Sequence, residues 1–250
     1  MIDFHTHILP GLDDGAQDVE TSLKMLRVCA ETGIDTVVAS PHCHLTDQDE
    51  IPYFLEYRDE SYKKLKAAIS ASGEKYPEIV LAAEVRIYDG FSKFENLDSL
   101  KITGTDYIIL EMPYEPWKYD IFDEIFNITQ RGFKPIMAHL DRFLDQEYLF
   151  HELYSMDLLY QINSCAFLDK PTRKMMVNLM ENQAVHIIGS DAHNLTDRKP
   201  DVAKACEVIS KKFGEEYVNI LEDNARRILE NKEIKNRAMP RLGTMKKLML

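Results

Sequence analysis

The chain alternates short apolar runs with longer amphipathic stretches, and this alternation limits its fold more than any other feature. The apolar runs are rich in Val, Ile and Leu, show little polar alternation and are bounded by Gly, Pro or Asp. That pattern is typical of strands buried on both faces of a parallel sheet. We predict seven strands, at residues 1–5, 34–40, 79–84, 106–111, 134–139, 159–164 and 184–191.

The stretches between these runs have the spacing of surface helices. Residues 19–32 carry one apolar stripe through Val19, Leu23, Leu26 and Ala30. Because strands and helices alternate without a long linker, the sequence predicts one α/β domain over residues 1–231, built as a (β/α)7 TIM-like barrel. An open dinucleotide-binding sheet is disfavoured, since no G-x-G-x-x-G follows the first strand. Further helices are predicted at 50–70, 121–131, 145–156, 172–182, 202–213 and 215–231.

Charge and cysteine content exclude several classes of protein. The chain has 30 Lys and Arg against 42 Asp and Glu, a net charge of −12, which disfavours nucleic-acid binding. Its four cysteines are scattered without a C-x-x-C pair, which argues against a disulfide framework or a structural zinc site. Neither a signal peptide nor a membrane-spanning run is found, so we expect a cytoplasmic protein. The sequence leaves homo-oligomerisation open.

Residues 232–250 form a basic C-terminal tail on this acidic chain. The tail holds six Lys or Arg and one Glu, a net charge of +5. Pro240 and Gly243 would break any long helix there. A tail that packs on the domain and a segment that docks on a partner or an anionic surface both remain open.

Polar side chains stand where most of the predicted strands end, and their types are those of metal ligands. The carboxyl ends of barrel strands converge on one face, so these imidazoles and carboxylates should meet. The set is too large for one tetrahedral ion, which implies two or three ions and suits phosphoester displacement. Mixed nitrogen and oxygen ligation fits Mn, Fe or Zn. The candidates are His5, His7, Asp14, His42, Glu84, Glu111, His139, Asp191 and His193.

These residues resemble the polymerase and histidinol phosphatase (PHP) superfamily. Within it, the chain is most similar to the bacterial capsule and exopolysaccharide tyrosine-protein phosphatases of the CpsB/YwqE type. The resemblance extends over residues 1–230 or so and keeps the order of the motifs. They are HTHILPGLDDG at 5–15, AE at 83–84, AHLDR at 138–142, QINS at 161–164, SDAHN at 190–194 and NARRIL at 224–229.

The resemblance implies a distorted barrel whose C-terminal face holds three metal ions, usually manganese. The implied activity is hydrolysis of phosphotyrosine by metal-activated hydroxide, with a tyrosine kinase of capsular or exopolysaccharide synthesis as the phosphoprotein substrate. The implied ligands are His5, His7, Glu84 and Asp191 for one ion, Glu84, Glu111 and His139 for a second, and Asp14, His42 and His193 for the third.

Two arginines are candidate phosphate ligands, and His42 is a candidate for the catalytic set as well as for the third ion. Arg142 follows His139 by three residues, and Arg198 lies in the loop after His193. A planar guanidinium can hold a phosphate through two parallel hydrogen bonds. Asp141 stands where the family often has Glu, and His44 follows His42, so His44 is either an extra ligand or a rim residue.

A cysteine phosphatase is excluded by spacing. That mechanism needs a phosphate-binding loop with Arg six positions after the nucleophilic Cys. The residues six positions after the four cysteines are Asp35, Asp49, Pro171 and Lys212. We expect Cys165, beside the end of the sixth predicted strand, to be a small buried thiol.

Three alternative functions are compatible with a metal-binding barrel. A small-molecule PHP phosphatase, such as one acting on histidinol phosphate, would use nearly the same ligands. A metal-dependent amidohydrolase is less favoured, because no predicted strand ends in the Lys that those enzymes carbamylate. A non-catalytic binding module ranks last. The aromatic residues of the loop at 112–119 could line a pocket for a tyrosyl ring or cover the barrel mouth, and the sequence favours neither.

Overall fold

The computed structural model describes residues 1–143, Leu153, 155–181 and 185–234. Most of the predicted helix at 145–156 and most of the basic tail lie outside the described residues. Every strand pair in the described part of the chain is parallel. The strands are β1 (Ile2–Thr6), β2 (Thr36–Ala39), β3 (His42–Cys43), β4 (Glu78–Leu81), β5 (Glu84–Arg86), β6 (Tyr107–Glu111), β7 (Lys134–Met137), β8 (Leu159–Asn163) and β9 (Ile187–Gly189).

The strands pair in two runs that follow one another around a curled sheet. β2 lies between β1 and β4, and the second run has the order β3-β5-β6-β7-β8-β9. Short breaks at Ser40–Pro41 and Ala82–Ala83 separate β2 from β3 and β4 from β5. Beyond β9 the chain returns to β1, where Thr6 forms a parallel bridge with Ala192. The predicted parallel α/β architecture is confirmed in this coarse form.

Helices connect most of the strands, as βα units require. Asp18 caps the first helix by accepting a hydrogen bond from the Thr21 backbone N–H at 2.8 Å. Gly73 ends the second helix in the left-handed conformation, at φ 68°. The helices are α1 (Val19–Glu31), α2 (Ile51–Ser72), α3 (Tyr119–Gln130), α4 (Cys165–Leu168), α5 (Lys170–Glu181), α6 (Val202–Phe213) and α7 (Glu215–Leu229).

Alternate residues of the strands belong to two different hydrophobic clusters. In β6, Ile108 and Leu110 join the cluster that includes most of the helices, while Tyr107 and Ile109 join a smaller one with Phe4. All five residues of β1, β6 and β8 are buried. The prediction of strands buried on both faces is therefore confirmed for these strands, whereas β4 is only partly buried. Each large apolar side chain contributes about 1.5–3 kcal/mol on burial.

Several strand boundaries differ from the prediction, and the differences at Glu84 and His139 concern candidate ligands. Glu84 was expected to end the third strand, but it begins β5 after the break at Ala82–Ala83. The register is the same on both sides of the break, since Ala39 pairs with Leu81 and His42 pairs with Glu84. The break arises because Pro41 has no N–H and cannot donate the next hydrogen bond of the ladder. His139 was expected to end the fifth strand, but β7 ends at Met137 and His139 follows it.

The helices in the described part of the chain do not combine the length and the apolar composition needed to cross a bilayer.

Candidate metal centre

The structure brings all nine sequence-predicted ligands together at the carboxyl edge of the sheet. Eight of them, together with His44, form overlapping groups in which the potential ligand atoms lie within 4.8 Å of one another. Asp191 completes the set, because its Oδ1 lies 3.3 Å from His7 Nε2. The groups are His5, His7 and Glu84; Glu84, Glu111 and His139; His7, Asp14, His42 and His193; and His42, His44 and Glu111.

Glu84 lies at the centre of these groups. Its Oε1 is 2.6 Å from His139 Nε2, and its Oε2 is 2.9 Å from His42 Nδ1. Oε2 is also 3.3 Å from the Nε2 atoms of both His5 and His7. One fully buried carboxylate is therefore shared by four imidazoles, which is the arrangement of a bridging ligand.

The centre favours positive charge. Burial alone would raise the pKa of Glu84. The charge of His5 and the hydrogen bond from His139 outweigh this effect and hold that pKa well below its usual value. Burial opposes protonation of His7, but hydrogen bonds to Asp13, Asp191 and Glu84 raise the pKa of that imidazole well above its usual value. The same carboxylates would stabilise metal cations at this place.

Asp14, His42 and His193 form the more exposed side of the centre. Asp14 Oδ1 lies 3.2 Å from His42 Nε2 and 3.1 Å from His193 Nε2. Burial, followed by repulsion from His7, lowers the pKa of His193 to about 4, so its imidazole is neutral at pH 7. A neutral imidazole has the free lone pair that a metal ligand needs.

Several buried polar atoms of this centre have no partner in hydrogen-bond geometry in the described part of the chain, although oppositely charged groups lie close to three of them. They are Glu84 Oε2, His42 Nδ1, His139 Nδ1 and His193 Nε2. A buried polar group without a partner costs about 1–3 kcal/mol, so such atoms concentrate where an ion or a ligand completes the site. With nitrogen and oxygen donors and no thiolate, the residues fit Mn, Fe or Zn.

Two candidate ligands adopt a backbone conformation that L-residues rarely adopt. His139 has φ 35° and Asp191 has φ 55°, and both follow the end of a strand. Such positions cost about 1–3 kcal/mol and cluster at functional sites. Hydrogen bonds hold both: the His139 N–H donates to Gln161 Oε1 at 2.7 Å, and the Asp191 N–H donates to His5 O at 2.8 Å.

Sequence reasoning did not assign roles to the residues that orient these ligands. Asp13 Oδ2 lies 2.7 Å from His7 Nδ1 and accepts the His42 backbone N–H at 3.0 Å. Gln161 Oε1 lies 3.2 Å from His5 Nδ1, and the Asn163 amide donates to Asp191 at 3.1 Å. Asp13 and Gln161 belong to the family motifs, which was the only sequence signal for them.

Both candidate phosphate-binding arginines lie at the centre, and both pair with Asp191. Arg142 donates from Nη2 to Asp191 Oδ2 and from Nη1 to the Tyr114 hydroxyl, the latter at 2.9 Å. Arg198 donates to Asp191 Oδ1 at 2.8 Å and lies 3.7 Å from Asp14. Each guanidinium remains partly exposed beside Asp191.

A second layer of polar contacts surrounds Glu111. His44 Nε2 lies 2.7 Å from Glu111 Oε2, and Arg86 Nε donates to the same oxygen at 3.1 Å. His44 is 40% exposed, so it lies at the rim while keeping a nitrogen within reach of the His42 and Glu111 ligand atoms. Sequence reasoning did not single out Arg86, because nothing in its local pattern separates it from a surface arginine.

The cysteines take no part in the centre. Cys29, Cys43 and Cys206 are buried, and burial raises the pKa of Cys206 to about 11. The expectation of a buried Cys165 is wrong: this residue is exposed at the start of α4, where Ala166 and Phe167 are the side chains that turn inward. Although the residue is exposed, neighbouring atoms partly cover its thiol, and this desolvation raises the pKa of Cys165 to about 11.

Comparison with known proteins agrees with this geometry. The model of the family described as "Capsular polysaccharide synthesis, CpsB/CapC" matches residues 1–230. Tyrosine-protein phosphatase YwqE of Bacillus subtilis (strain 168) is 30% identical over 243 residues, 94% of this chain and 93% of that protein. Tyrosine-protein phosphatase CpsB of Streptococcus pneumoniae is 28% identical over 250 residues, 92% of this chain and 98% of that protein.

A solved structure shows that the fold is shared as well. It comes from a study of YwqE from Bacillus subtilis and CpsB from Streptococcus pneumoniae, described there as unique metal-dependent tyrosine phosphatases. It superposes with a TM-score of 0.80 at 27% identity and covers 96% of this chain and 99% of its own. The chain belongs to the CpsB/CapC family of capsular polysaccharide synthesis.

Proposed function

We propose that this protein is a metal-dependent tyrosine-protein phosphatase of capsular or exopolysaccharide synthesis. The observation that carries the proposal is the buried Glu84 carboxylate, which is shared by two groups of candidate metal ligands and lies beside a third. The relatives that match nearly the whole chain are tyrosine-protein phosphatases, which supports the same activity. Phosphoester displacement is the chemistry that adjacent metal ions serve best.

Three ions fit the ligand groups of this centre. His5, His7, Glu84 and Asp191 would hold one ion, and Glu84, Glu111 and His139 a second. Asp14, His42 and His193 would hold the third. We propose Mn²⁺ as the metal, with Fe and Zn as alternatives of the same donor chemistry. When bound, such cations lower the pKa of a coordinated water and offset the charge of a phosphoryl group.

The side chains around the ions would orient the substrate. Arg142 and Arg198 have guanidinium forks that can hold the phosphoryl oxygens, and their contacts with Asp191 keep them at the edge of the centre. His42 would belong to the same catalytic set as a ligand of the third ion, through the Nε2 atom that lies beside Asp14. The leaving phenolate has a pKa of about 10, so a strong general acid is less necessary than for an alkyl phosphate.

The fuller fold proposed here is a distorted (β/α)7 barrel. If β2 with β3 and β4 with β5 are each counted as one interrupted strand, seven strands follow one another around the sheet. The bridge between Thr6 of β1 and Ala192, which follows the last strand, supports closure. We propose residues 1–231 as the phosphatase domain and residues 232–250 as a separate basic tail. We further propose that the protein is cytoplasmic and that its substrate is a phosphorylated bacterial tyrosine kinase.

The test compares two substrates on one preparation. The purified chain, loaded with Mn²⁺ and assayed for metal content, is given a phosphotyrosine peptide and histidinol phosphate at equal concentrations. We expect rapid hydrolysis of the peptide, loss of activity on chelation and recovery on adding Mn²⁺. Preference for histidinol phosphate would transfer the chain to the small-molecule phosphatases, and activity that survives complete metal removal would refute the metal mechanism.

A further inference from the structure

The loop after β6 carries two aromatic side chains beside the metal centre, and they have different environments. Trp117 is 5% exposed, its indole N–H donates to Pro113 O at 2.9 Å, and its ring lies 5.2 Å from that of Phe143. Tyr114 is 52% exposed. Trp117 therefore anchors the loop, whereas Tyr114 is presented at the surface.

Tyr114 lies between two arginines that are both tied to candidate metal ligands. Its hydroxyl accepts a hydrogen bond from Arg142 Nη1 at 2.9 Å, and Arg142 also pairs with Asp191. The Arg86 guanidinium lies 5.6 Å from the Tyr114 ring centroid, and its Nε donates to Glu111 at 3.1 Å. The ring is thus fixed at the edge of the centre from both sides.

An aryl phosphate places its ring close to this edge. The phosphorus is joined to the ring through a single oxygen, so the ring cannot lie far from the ions when the phosphoryl group reaches them. Aromatic rings pack at centroid separations of about 4.5–7 Å, and the exposed half of Tyr114 offers the area for such a contact. An alkyl phosphate has no ring to fill that position.

We propose that Tyr114 determines specificity for aryl phosphates by packing its ring against the ring of the substrate tyrosine. Its hydroxyl has a second, separable effect, because it holds the Arg142 fork in place for the phosphoryl group. This inference rests on the phosphatase activity proposed above and adds a specificity-determining residue to it. Trp117, being buried, supports the loop and does not contact substrate.

The experiment measures binding with two non-hydrolysable probes. Phenylphosphonate and methylphosphonate carry the same phosphonate group, which stands in for the phosphoryl group of the substrate, and only phenylphosphonate has a ring. Their inhibition constants against hydrolysis of a phosphotyrosine peptide are compared for the wild type, Tyr114→Leu and Tyr114→Phe, all loaded with Mn²⁺. Tyr57→Leu, which makes the same change at an exposed tyrosine of α2, is the matched control. Metal content and melting temperature show whether each variant folds and loads.

Tyr114→Leu is expected to weaken the binding of phenylphosphonate about tenfold more than the binding of methylphosphonate. This difference corresponds to about 1.4 kcal/mol of binding free energy. Tyr114→Phe keeps the ring, so it should weaken both probes equally and leave their ratio unchanged. Equal weakening of both probes in Tyr114→Leu, or a changed ratio in Tyr114→Phe or in Tyr57→Leu, would overturn the inference. Failure of the proposed function is distinguishable, because the wild type would then show no metal-dependent hydrolysis of the peptide.

Discussion

Replacement of Glu84 by glutamine tests the metal centre at its most connected residue. The Glu84 carboxylate lies 2.6 Å from His139 Nε2, 2.9 Å from His42 Nδ1 and 3.3 Å from the Nε2 atoms of His5 and His7. Glu84→Gln keeps the volume of this buried side chain but exchanges one oxygen for an amide nitrogen, which has no lone pair to offer a cation.

The size of the effect follows from how the ligand groups overlap. Glu84 belongs to the group with His5 and His7 and to the group with Glu111 and His139, but not to the group around Asp14. We therefore expect Mn²⁺ content to fall from three ions per chain to one. Losing two adjacent cations removes several kcal/mol of charge stabilisation in the transition state, and about 4 kcal/mol corresponds to a fall in kcat of about 10³.

The assay counts ions and turnover on the same sample. Metal content is measured after reconstitution with Mn²⁺ and desalting, and kcat is measured on a phosphotyrosine peptide. Asp14→Asn makes the same carboxylate-to-amide change in the third group alone and should lose one ion. Circular dichroism establishes that both variants are folded. Three ions retained by Glu84→Gln, or the loss of one only, would refute the bridging role of this carboxylate.

Four further outcomes follow from the same geometry. Arg142→Lys keeps the charge but loses the fork, so KM for phosphotyrosine should rise with metal content unchanged; an unaltered KM would return this residue to a structural role. Asp13→Asn removes the carboxylate that orients His7, and metal titration should show affinity about 10–100-fold weaker. Cys43→Ser should lower kcat by at most about tenfold, because burial raises the pKa of this thiol; a loss of several orders of magnitude would identify it as the nucleophile. Burial lowers the pKa of His186 to about 4. Between pH 6.5 and pH 4 this imidazole is therefore protonated in the unfolded chain but neutral in the native state. Urea unfolding should show that His186 contributes stability above pH 6.5 that is lost toward pH 4, by up to about 3 kcal/mol, so the decline in His186→Asn should be smaller than in the wild type by that amount.

The parallel sheet and the membership of the centre could both be predicted from local sequence. A strand buried on both faces needs an unbroken apolar run, and β6 has one from Tyr107 to Leu110 whatever packs against it. Because parallel strands end on one edge, the polar residue after each run belongs to a common site. His5, His139 and Asp191 could therefore be grouped without knowing a single side-chain contact.

The breaks in the strands could not be predicted in this way. Ala82 and Ala83 are apolar and continue the run that precedes Glu84, so the sequence indicates one strand through all three. The structure ends that strand at Leu81, because Pro41 on the neighbouring segment has no N–H to donate to the strand at this point. Such pairing depends on residues about 40 positions away, which periodicity within one segment does not detect.

Ligand orientation depends on the same kind of distant contact. The side chain of Gln161 accepts the N–H of His139 and lies beside His5, so one amide from β8 fixes two ligands that come from other strands. Asp13 fixes His7 and the backbone of His42 in the same manner. A histidine at a strand end is recognisable from its type and position. Which of its nitrogens faces the ions is set by the hydrogen bond on the other nitrogen, and that bond exists only once the sheet has curled.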